Sequence, residues 1–448
     1  MTVSTIILAA GKGTRMKSPT PKILHKIAGK HLIEFGVYLA KAVKSKETIV
    51  VVGSDNEQAT KVALSGKTVK FCTQKSQLGT GDAVKIGLKS FQIKSKYTLV
   101  LYGDTPFIKI NTIKKMISKA EKGFEFIFLG FQAQTKNNYG KFKLGPKETL
   151  IDIIEKNEPG YNLPGGLSNS GIVLAKTKIL SNLIQKIKND NAKREFYLTD
   201  VARIAAKHGY ASTYVRCDED ECMGVNSQIE LSVAERKFQD DFRKKLMASG
   251  VSMPSPETCF FSYDTIIKSG CIIEPNVFFG KGVKIQNSTI IKSYSHIEGT
   301  HIGKNCQIGP FARLRPGTNL SEEVKVGNFV EVKNTTLASK TKANHLTYIG
   351  DAKVGANTNI GAGTIFCNYD GKNKNRTIVG DNVFIGSNAS LIAPLKIGDA
   401  SIVAAGSAIN RDVPSESLAI ARPIQQNKLG LGKKIMLKLQ KVADKIRK

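Results

Sequence analysis

The chain has 448 residues, enough for two or three domains with their own cores. A formal net charge of +30 raises nucleic-acid binding, but 55 of the 67 basic residues are lysines spread along the whole length, without the arginine and aromatic clustering that strand or base recognition uses. The charge therefore reads as a lysine-rich solvated surface that also attracts small anionic substrates. Seven scattered cysteines with no Cys-x-x-Cys pair argue against structural zinc or a disulfide framework and for reduced thiols in a cytoplasm. The apolar run Ile6 to Ala10 is too short for a signal segment, and no stretch approaches transmembrane length.

Residues 1 to about 226 alternate apolar runs with amphipathic ones, which predicts a mostly parallel sheet covered on both faces. Val3 to Ala10 reads as the first strand, Thr48 to Gly53 and Thr98 to Tyr102 as two more, with a helix around Leu32 to Lys44. Directly after the first strand comes Leu8-Ala-Ala-Gly-Lys-Gly-Thr-Arg-Met16. It lacks the Gly-Lys-Ser/Thr ending of a P-loop and has Met16 where a dinucleotide fingerprint needs its third glycine. Gly11 and Gly13 nevertheless let backbone N–H groups approach an anion, and Arg15 and Lys22 add cations. Asp104 follows an apolar strand at its carboxyl end, where open α/β sheets bind ligands. Taken alone, an aspartate at this place reads as the cap of a loop.

Ser227-x-x-Glu230 is a capping-box signal for a helix to about Ser249, carrying Ile229, Val233, Phe238, Phe242 and Leu246 among charges. Met253-Pro-Ser-Pro256 ends the helical pattern. From Ile267 to Ile409 an aliphatic residue then recurs every sixth position. Ile267, Ile273, Phe279, Ile285, Ile291 and Ile297 form one run; Ile302, Ile308, Leu314, Leu320, Val326 and Val332 a second; Ile385, Leu391, Ile397, Val403 and Ile409 a third. A period of six predicts a solenoid of short strands, because sandwich strands hold no such register. Glycines following the aliphatic residue, as in Ile302-Gly303, Val326-Gly327 and Ile385-Gly386, suit corners where a side chain would clash or φ must be positive. A polar segment, Cys367 to Thr377, interrupts the repeats as a projecting loop would, and His345 upstream is a suitable general base. In the tail, Ile435, Leu439, Val442 and Ile446 share one helical face among lysines. Packing on a neighbouring subunit, or lack of order, suits so short a face better than contact with an anionic membrane.

Taken together these stretches resemble a known family. Leu8 to Met16 with Pro21-Lys22 is similar to the signature of sugar-phosphate nucleotidyltransferases, and Gln74 with Leu78-Gly-Thr-Gly81 resembles the part of that site holding uracil. Tyr102-Gly-Asp104, Tyr139-Gly140, Glu155, Asn169-Ser-Gly171 and Gly224-Val-Asn226 follow in the family's order. Asn344-His-Leu-Thr-Tyr348 and Cys367-Asn-Tyr-Asp370 resemble the acetyltransferase half of the bifunctional N-acetylglucosamine-1-phosphate uridyltransferases and glucosamine-1-phosphate N-acetyltransferases. The likeness runs to about residue 426.

The resemblance implies an α/β nucleotidyltransferase domain over 1–226, a linker helix over 227–250 and a left-handed parallel β-helix of hexapeptide repeats over 251–448. It implies that Leu8, Ala9, Ala10, Gly11, Lys22, Gln74, Gly79, Thr80, Gly140, Glu155, Asn169 and Asn226 bind the nucleotide sugar, that Asp104 and Asn226 hold Mg²⁺, and that Arg15 and Lys22 assist catalysis. For acetyl transfer it implies His345 as base, Arg315, Lys333, Tyr348 and Asn359 on the amino-sugar phosphate, and Asn368, Tyr369, Ser387, Ala405 and Arg422 around acetyl-CoA. UTP, N-acetylglucosamine 1-phosphate, glucosamine 1-phosphate and acetyl-CoA are the implied substrates, in a homotrimeric cytoplasmic enzyme without nucleic-acid partner or stable membrane insertion. The chain departs from the pattern at Ser170, where threonine is common, at Asn344, where glycine is common, and in a ladder about one coil shorter before Ile308. Two rival readings remain: a nucleotidyltransferase whose ladder serves only assembly, against which His345, Tyr348 and the Cys367–Thr377 loop speak, and a basic scaffold, which leaves Asp104 unexplained.

Overall fold

The computed structural model describes residues 1–133, 138–156, 158, 161, 166–191 and 194–447. The chain divides into two compact units, Met1–Phe242 and Arg243–Lys448, and the division falls inside the helix Gln228–Ala248.

In the first unit a nine-stranded sheet has the central order Ser212–Cys217, Phe126–Phe131, Ser168–Lys176, Tyr97–Tyr102, Val3–Ala9, Thr48–Gly53, Lys70–Gln74. Ser168–Lys176 runs antiparallel to both neighbours and the other central pairs are parallel. The strands are apolar without alternation because both faces are covered. Ile6, Val51 and Val100 enter one core while Ile7, Val50 and Leu99 enter the other. Val3–Ala9 lies between Thr48–Gly53 and Tyr97–Tyr102, so the loops after all three share the carboxyl edge. The expected helix near Leu32 is present as Leu32–Ala42.

The helix Gln228–Ala248 starts where Ser227 was expected to cap it, with Ser227 Oγ accepting the N–H of Glu230 at 3.2 Å. The reciprocal bond reaches one residue further back than a capping box requires: Glu230 accepts the N–H of Asn226 at 2.5 Å. The helix ends where it was expected to, near Ser249, at Gly250, whose φ of 90° is the left-handed turn a glycine makes at low cost. Ile229 and Val233 are exposed, so the apolar pattern overstated this helix's buried face; Ala234, Gln239, Arg243 and Leu246 are the buried positions.

The second unit is the parallel β-helix predicted from the hexads, with three parallel sheets of eight, nine and eight short strands. Every ladder residue named above is buried. Between the second and third runs the ladder continues through Leu337, Ala343, Ile349, Val354, Ile360 and Phe366 and resumes at Val379, all buried. Equivalent residues stack in register, as in Ile267↔Ile285, Ile285↔Ile302, Val326↔Ala343 and Ile385↔Val403. Each coil has three corners, and two of them always take six residues from one inward residue to the next. The third alone varies. It takes five residues between Ile297 and Ile302, and it carries the long excursion between Phe366 and Val379.

The glycines after ladder residues serve close stacking more than positive φ. A Cβ on Gly303 would lie 2.5 Å from Ser321 C, and one on Gly327 would lie 2.0 Å from Asn344 O. Positive-φ corner positions are held by Gly309 after Ile308, by other glycines such as Gly282 and Gly317, by Asn276, Asn305, Asn357, Asn382 and Asn388, and by several bulkier residues. Asn344 is not among them; the left-handed residue of that motif is Leu346.

Candidate active sites

The first strand ends at Ala9, and no long helix follows it. Gly13 adopts φ 63° and leads into a single 3₁₀ turn, Thr14–Met16. A side chain at Gly13 would strike Lys22, 2.6 Å from its Cβ, whereas Gly11 has no atom within 4 Å of such a position and leaves open space beside the loop. Any anion here is therefore met by loop N–H groups and side-chain cations, without the dipole of a long helix.

This loop forms one wall of a cleft of ≈ 830 Å³. Leu8, Ala9, Ala10, Gly11, Arg15, Lys22, Gln74, Gly79, Thr80, Asp104 and Asn226, all expected from the sequence, line it together. Gly140, Glu155 and Asn169 form a second group. The N–H of Asn169 donates to Gly140 O at 2.8 Å, a Cβ on Gly140 would lie 3.2 Å from Glu155 Oε1, and Thr199 donates to that same carboxylate oxygen at 2.9 Å. Tyr102 links the groups, lining the cleft with its ring against Gly171, where a Cβ would come within 2.6 Å. Burial, and then the charge of Asp104, push the Tyr102 phenol well above its ordinary value, so it stays protonated.

At the cleft floor the Lys22 ammonium donates to the carboxylate of Asp104 and to Asn226 Oδ1, the latter at 3.1 Å. The two oxygens thus converge on one cation position. That donor set fits Mg²⁺, which takes one or two carboxylates, an amide oxygen, water and substrate phosphates. No cluster of three or more His, Cys, Asp or Glu occurs among the described residues. Asn226 is itself held from behind by Glu230.

Gln74 is buried, lines the cleft and donates its amide to Gly79 O at 3.1 Å and to Asp82 at 2.8 Å. Gly79, with φ 109°, packs against Phe196, and Thr80 accepts the N–H of Leu198 at 3.0 Å. Asp55, Gln77 and Glu195 also line the cleft and were missed in the sequence. Gln77 was recoverable from its place beside the Gln74 motif. Its amide donates to Ala10 O at 2.7 Å and braces the glycine loop.

In the β-helix, His345 sits at the end of the strand Lys342–His345, paired in register with Asn328 one coil earlier. His345 Nδ1 lies 2.8 Å from Asn328 Oδ1. An amide oxygen accepts only, so Nδ1 carries the proton and Nε2 keeps the lone pair. A groove of ≈ 270 Å³ beside the ring is lined by Lys292, Gln307, Lys325, Asn328 and Asn344. Ser387, Ala405 and Arg422 stand at the same corner in later coils. Ile360↔Ile385 and Ile385↔Val403 set that register, Gly406 N–H donates to Ser387 O at 2.8 Å, and Arg422 donates to Ala405 O at 2.8 Å.

Arg315, Lys333 and Tyr348 gather elsewhere, along the neighbouring sheet and its far corner. Arg315 pairs with Glu331 at 2.7 Å. The proximity of Lys374, then burial, then Arg315 lower the proton affinity of Lys333 below that of an ordinary lysine. Lys374 comes from the Cys367–Thr377 excursion and was not anticipated. Three cations side by side form a seat for an anion. Asn368 joins them, donating to Asp351 at 2.5 Å and to the Tyr348 hydroxyl at 3.4 Å. The excursion is ordered by Asp370, which accepts the N–H groups of Lys372 and Asn373; these bonds bring its carboxyl down to about 2. Tyr369 is exposed and donates to Gly371 O at 2.6 Å. Asn359 lines a groove of ≈ 640 Å³ with Asn305, Gln307, Lys325 and Lys342, of which Gln307 and Lys325 also line the groove beside His345.

Residues 5–191 match the MobA-like NTP transferase domain, and residues 376–411 match the hexapeptide repeat of succinyl-transferase. A bifunctional protein GlmU of Bartonella quintana is 42% identical over 97% of this chain and 97% of its own. The chain belongs to the bifunctional GlmU family. A GlmU of Wolbachia pipientis wMel is 44% identical over 94% of this chain and 97% of its own, and one of Zymomonas mobilis is 42% identical over 98% of both. Among the described residues no helix is long and apolar enough to cross a membrane.

Proposed function

We propose that the chain is a bifunctional enzyme of UDP-N-acetylglucosamine synthesis, acetylating glucosamine 1-phosphate and then transferring UMP from UTP to the product. The observation that carries the nucleotidyl half is the convergence of Asp104 and Asn226 on a cation beside the glycine loop. In this reaction the sugar phosphate oxygen attacks the α-phosphorus of UTP, the α–β phosphoanhydride bond breaks, and pyrophosphate leaves. The nucleophile is already anionic, so orientation and charge neutralisation dominate. Arg15 and Lys22 supply fixed cations to the phosphates, Gln74, Gly79 and Thr80 hold the base, and Gly140, Glu155 and Asn169 hold the sugar. Asp104 and Asn226 would hold Mg²⁺, which when bound would supply Lewis-acid stabilisation of the phosphate oxygens.

For acetyl transfer, Nε2 of His345 removes a proton from the amine as it attacks the thioester carbon, and the thiolate of CoA leaves. Arg315 and Lys333, helped by Lys374, hold the sugar phosphate, with Tyr348, Asn359, Asn368 and Tyr369 around the amino sugar and acetyl group. Ser387, Ala405 and Arg422 continue the His345 corner over later coils at about 4.8 Å per coil, a rail suited to the long arm of CoA.

His345 and the Arg315–Lys333–Lys374 cluster stand at different corners, and this supports a homotrimer in which side-by-side copies bring unlike corners together. Sedimentation showing a fully active monomer would overturn that assembly. Free cysteines throughout the described residues favour a cytoplasmic location. One assay tests both activities: acetyl-CoA with glucosamine 1-phosphate should release free thiol, and added UTP with Mg²⁺ should then release pyrophosphate. Pyrophosphate from added N-acetylglucosamine 1-phosphate without any thiol release would leave only the single-activity rival.

A further inference from the structure

We propose that Cys217 and Cys222 are a redox-modification site of the first unit, closing to an intramolecular disulfide when a peroxide oxidises them and so drawing Asn226 away from the cation position. All seven cysteines are free, and these two stand sulfur against sulfur at 3.2 Å. Cys217 ends the strand Ser212–Cys217 in register with Phe131, and its thiol donates to Gly130 O at 3.6 Å. Cys222 closes the 3₁₀ turn Glu219–Cys222 that follows and is buried. Transient disulfides of this kind are compatible with a reducing compartment.

The pair is asymmetric in the way stepwise thiol oxidation requires. Contact with Cys217, then burial, pushes the Cys222 thiol well above its ordinary value, so Cys222 keeps its proton and the less buried Cys217 is left to meet the oxidant. The Cys217 thiolate attacks one oxygen of hydrogen peroxide, the O–O bond breaks, and hydroxide leaves a sulfenic acid on Cys217. The Cys222 sulfur then attacks that sulfur, the S–O bond breaks, and the oxygen departs as water with the Cys222 proton. Two thiols and one peroxide thus become one disulfide and two waters.

Position gives the bond its effect. Met223, Gly224 and Val225 alone separate Cys222 from Asn226, and the N–H of Val225 donates to Asp104 O at 3.0 Å. Cys222 also lies within hydrogen-bonding reach of Ser170, the neighbour of Asn169 on the sugar side. Strand pairing holds Cys217, so drawing the sulfurs closer than their contact moves Cys222 and the short segment that ends on Asn226. This effect rests on the nucleotidyl reading of the Asp104–Asn226 site, whereas formation of the disulfide does not.

The experiment treats the reduced full-length protein with hydrogen peroxide, then alkylates it and digests it with trypsin. No lysine or arginine lies between Arg216 and Arg236, so one peptide, 217–236, carries both cysteines. That peptide should lose two hydrogens and take up no alkyl group, and dithiothreitol should restore both thiols. The Mg²⁺ concentration for half-maximal pyrophosphate release should rise about tenfold on oxidation and return on reduction. Cys217→Ser, with Cys217→Ala as a second variant, should keep the pyrophosphate release of the reduced enzyme and lose the response to peroxide. A peptide that stays unoxidised or carries only sulfinic or sulfonic acid overturns the proposal, and so does an equal peroxide response in both variants. A disulfide that forms without changing the Mg²⁺ requirement also overturns it. The peptide mass is read without any assay, so a reduced parent that releases no pyrophosphate faults the nucleotidyl reading and is told apart from failure of the disulfide.

Discussion

Nδ1 of His345 lies 2.8 Å from the amide oxygen of Asn328, one coil away on the same corner. That contact fixes which ring nitrogen can act as a base. Asn328→Ala should lower kcat of acetyl transfer about tenfold with little change in KM, because the ring loses its tautomer and orientation but not its position. His345→Ala should cost about 10²–10⁴-fold. Steady-state thiol release on both variants checks this, with pyrophosphate release as the internal control. An Asn328→Ala enzyme with full acetyl transfer would remove the tautomer argument.

Asp104 and Asn226 share the Lys22 ammonium, so removing either should act on one activity alone. Asp104→Ala should abolish Mg²⁺-dependent pyrophosphate release and leave thiol release intact. Asn226→Ala should instead raise the Mg²⁺ concentration needed for half-maximal rate. Equal loss of both activities in Asp104→Ala would mean that the residue supports the fold.

Lys374 lies within hydrogen-bonding reach of Lys333, a contact that lowers the proton affinity of Lys333 and raises that of Lys374. Lys333 therefore loses its proton at lower pH than an ordinary lysine, and KM for glucosamine 1-phosphate should rise early on the alkaline side. Lys374→Met removes that contact. It should raise KM at neutral pH by weakening the anion seat, yet shift the alkaline rise to higher pH. A KM profile that does not move would sever Lys374 from the site.

Asp370 works in the opposite pH direction. Its folded carboxyl lies near about 2, against an ordinary 3.8, so its contribution to loop order is present above the ordinary value and is lost as pH falls through the folded one. Asp370→Asn should loosen the Cys367–Thr377 excursion at neutral pH, seen as faster amide exchange at Lys372 and Asn373. Unchanged exchange would show that the turn holds without it.

Two glycines separate packing from chemistry. Gly327→Ala places a carbon 2.0 Å from Asn344 O and should destabilise the second unit by about 2–4 kcal/mol, read as a lower thermal midpoint. Gly11→Ala meets nothing within 4 Å, so it should leave the midpoint unchanged and affect only uridyl transfer.

The ladder was legible because a strict period survives any side-chain detail, and Val3–Ala9 was legible because doubly covered strands are continuously apolar. The stretch from Leu337 to Phe366 belonged to the same ladder but was easier to overlook, since Ala343 is a weak apolar signal and the five-residue steps break the count. Asn328 could have been found by counting one coil back from His345; Lys374 could not, because its approach to Lys333 depends on how an irregular loop folds. The helix after Ser227 was visible from its cap and its end near Ser249, whereas its exposed Ile229 depends on tertiary surroundings.

The uneven corners of the coil have a consequence for how this protein tolerates change in length. All variation in step falls at one corner, so residues added or removed there leave the other two in phase, as the long excursion before Val379 already does. A single-residue deletion at the His345 corner would instead put every later coil out of register with the ones before it. Insertion scanning along Ile267 to Ile409 should accordingly find permissive sites once per turn, all on one edge of the prism.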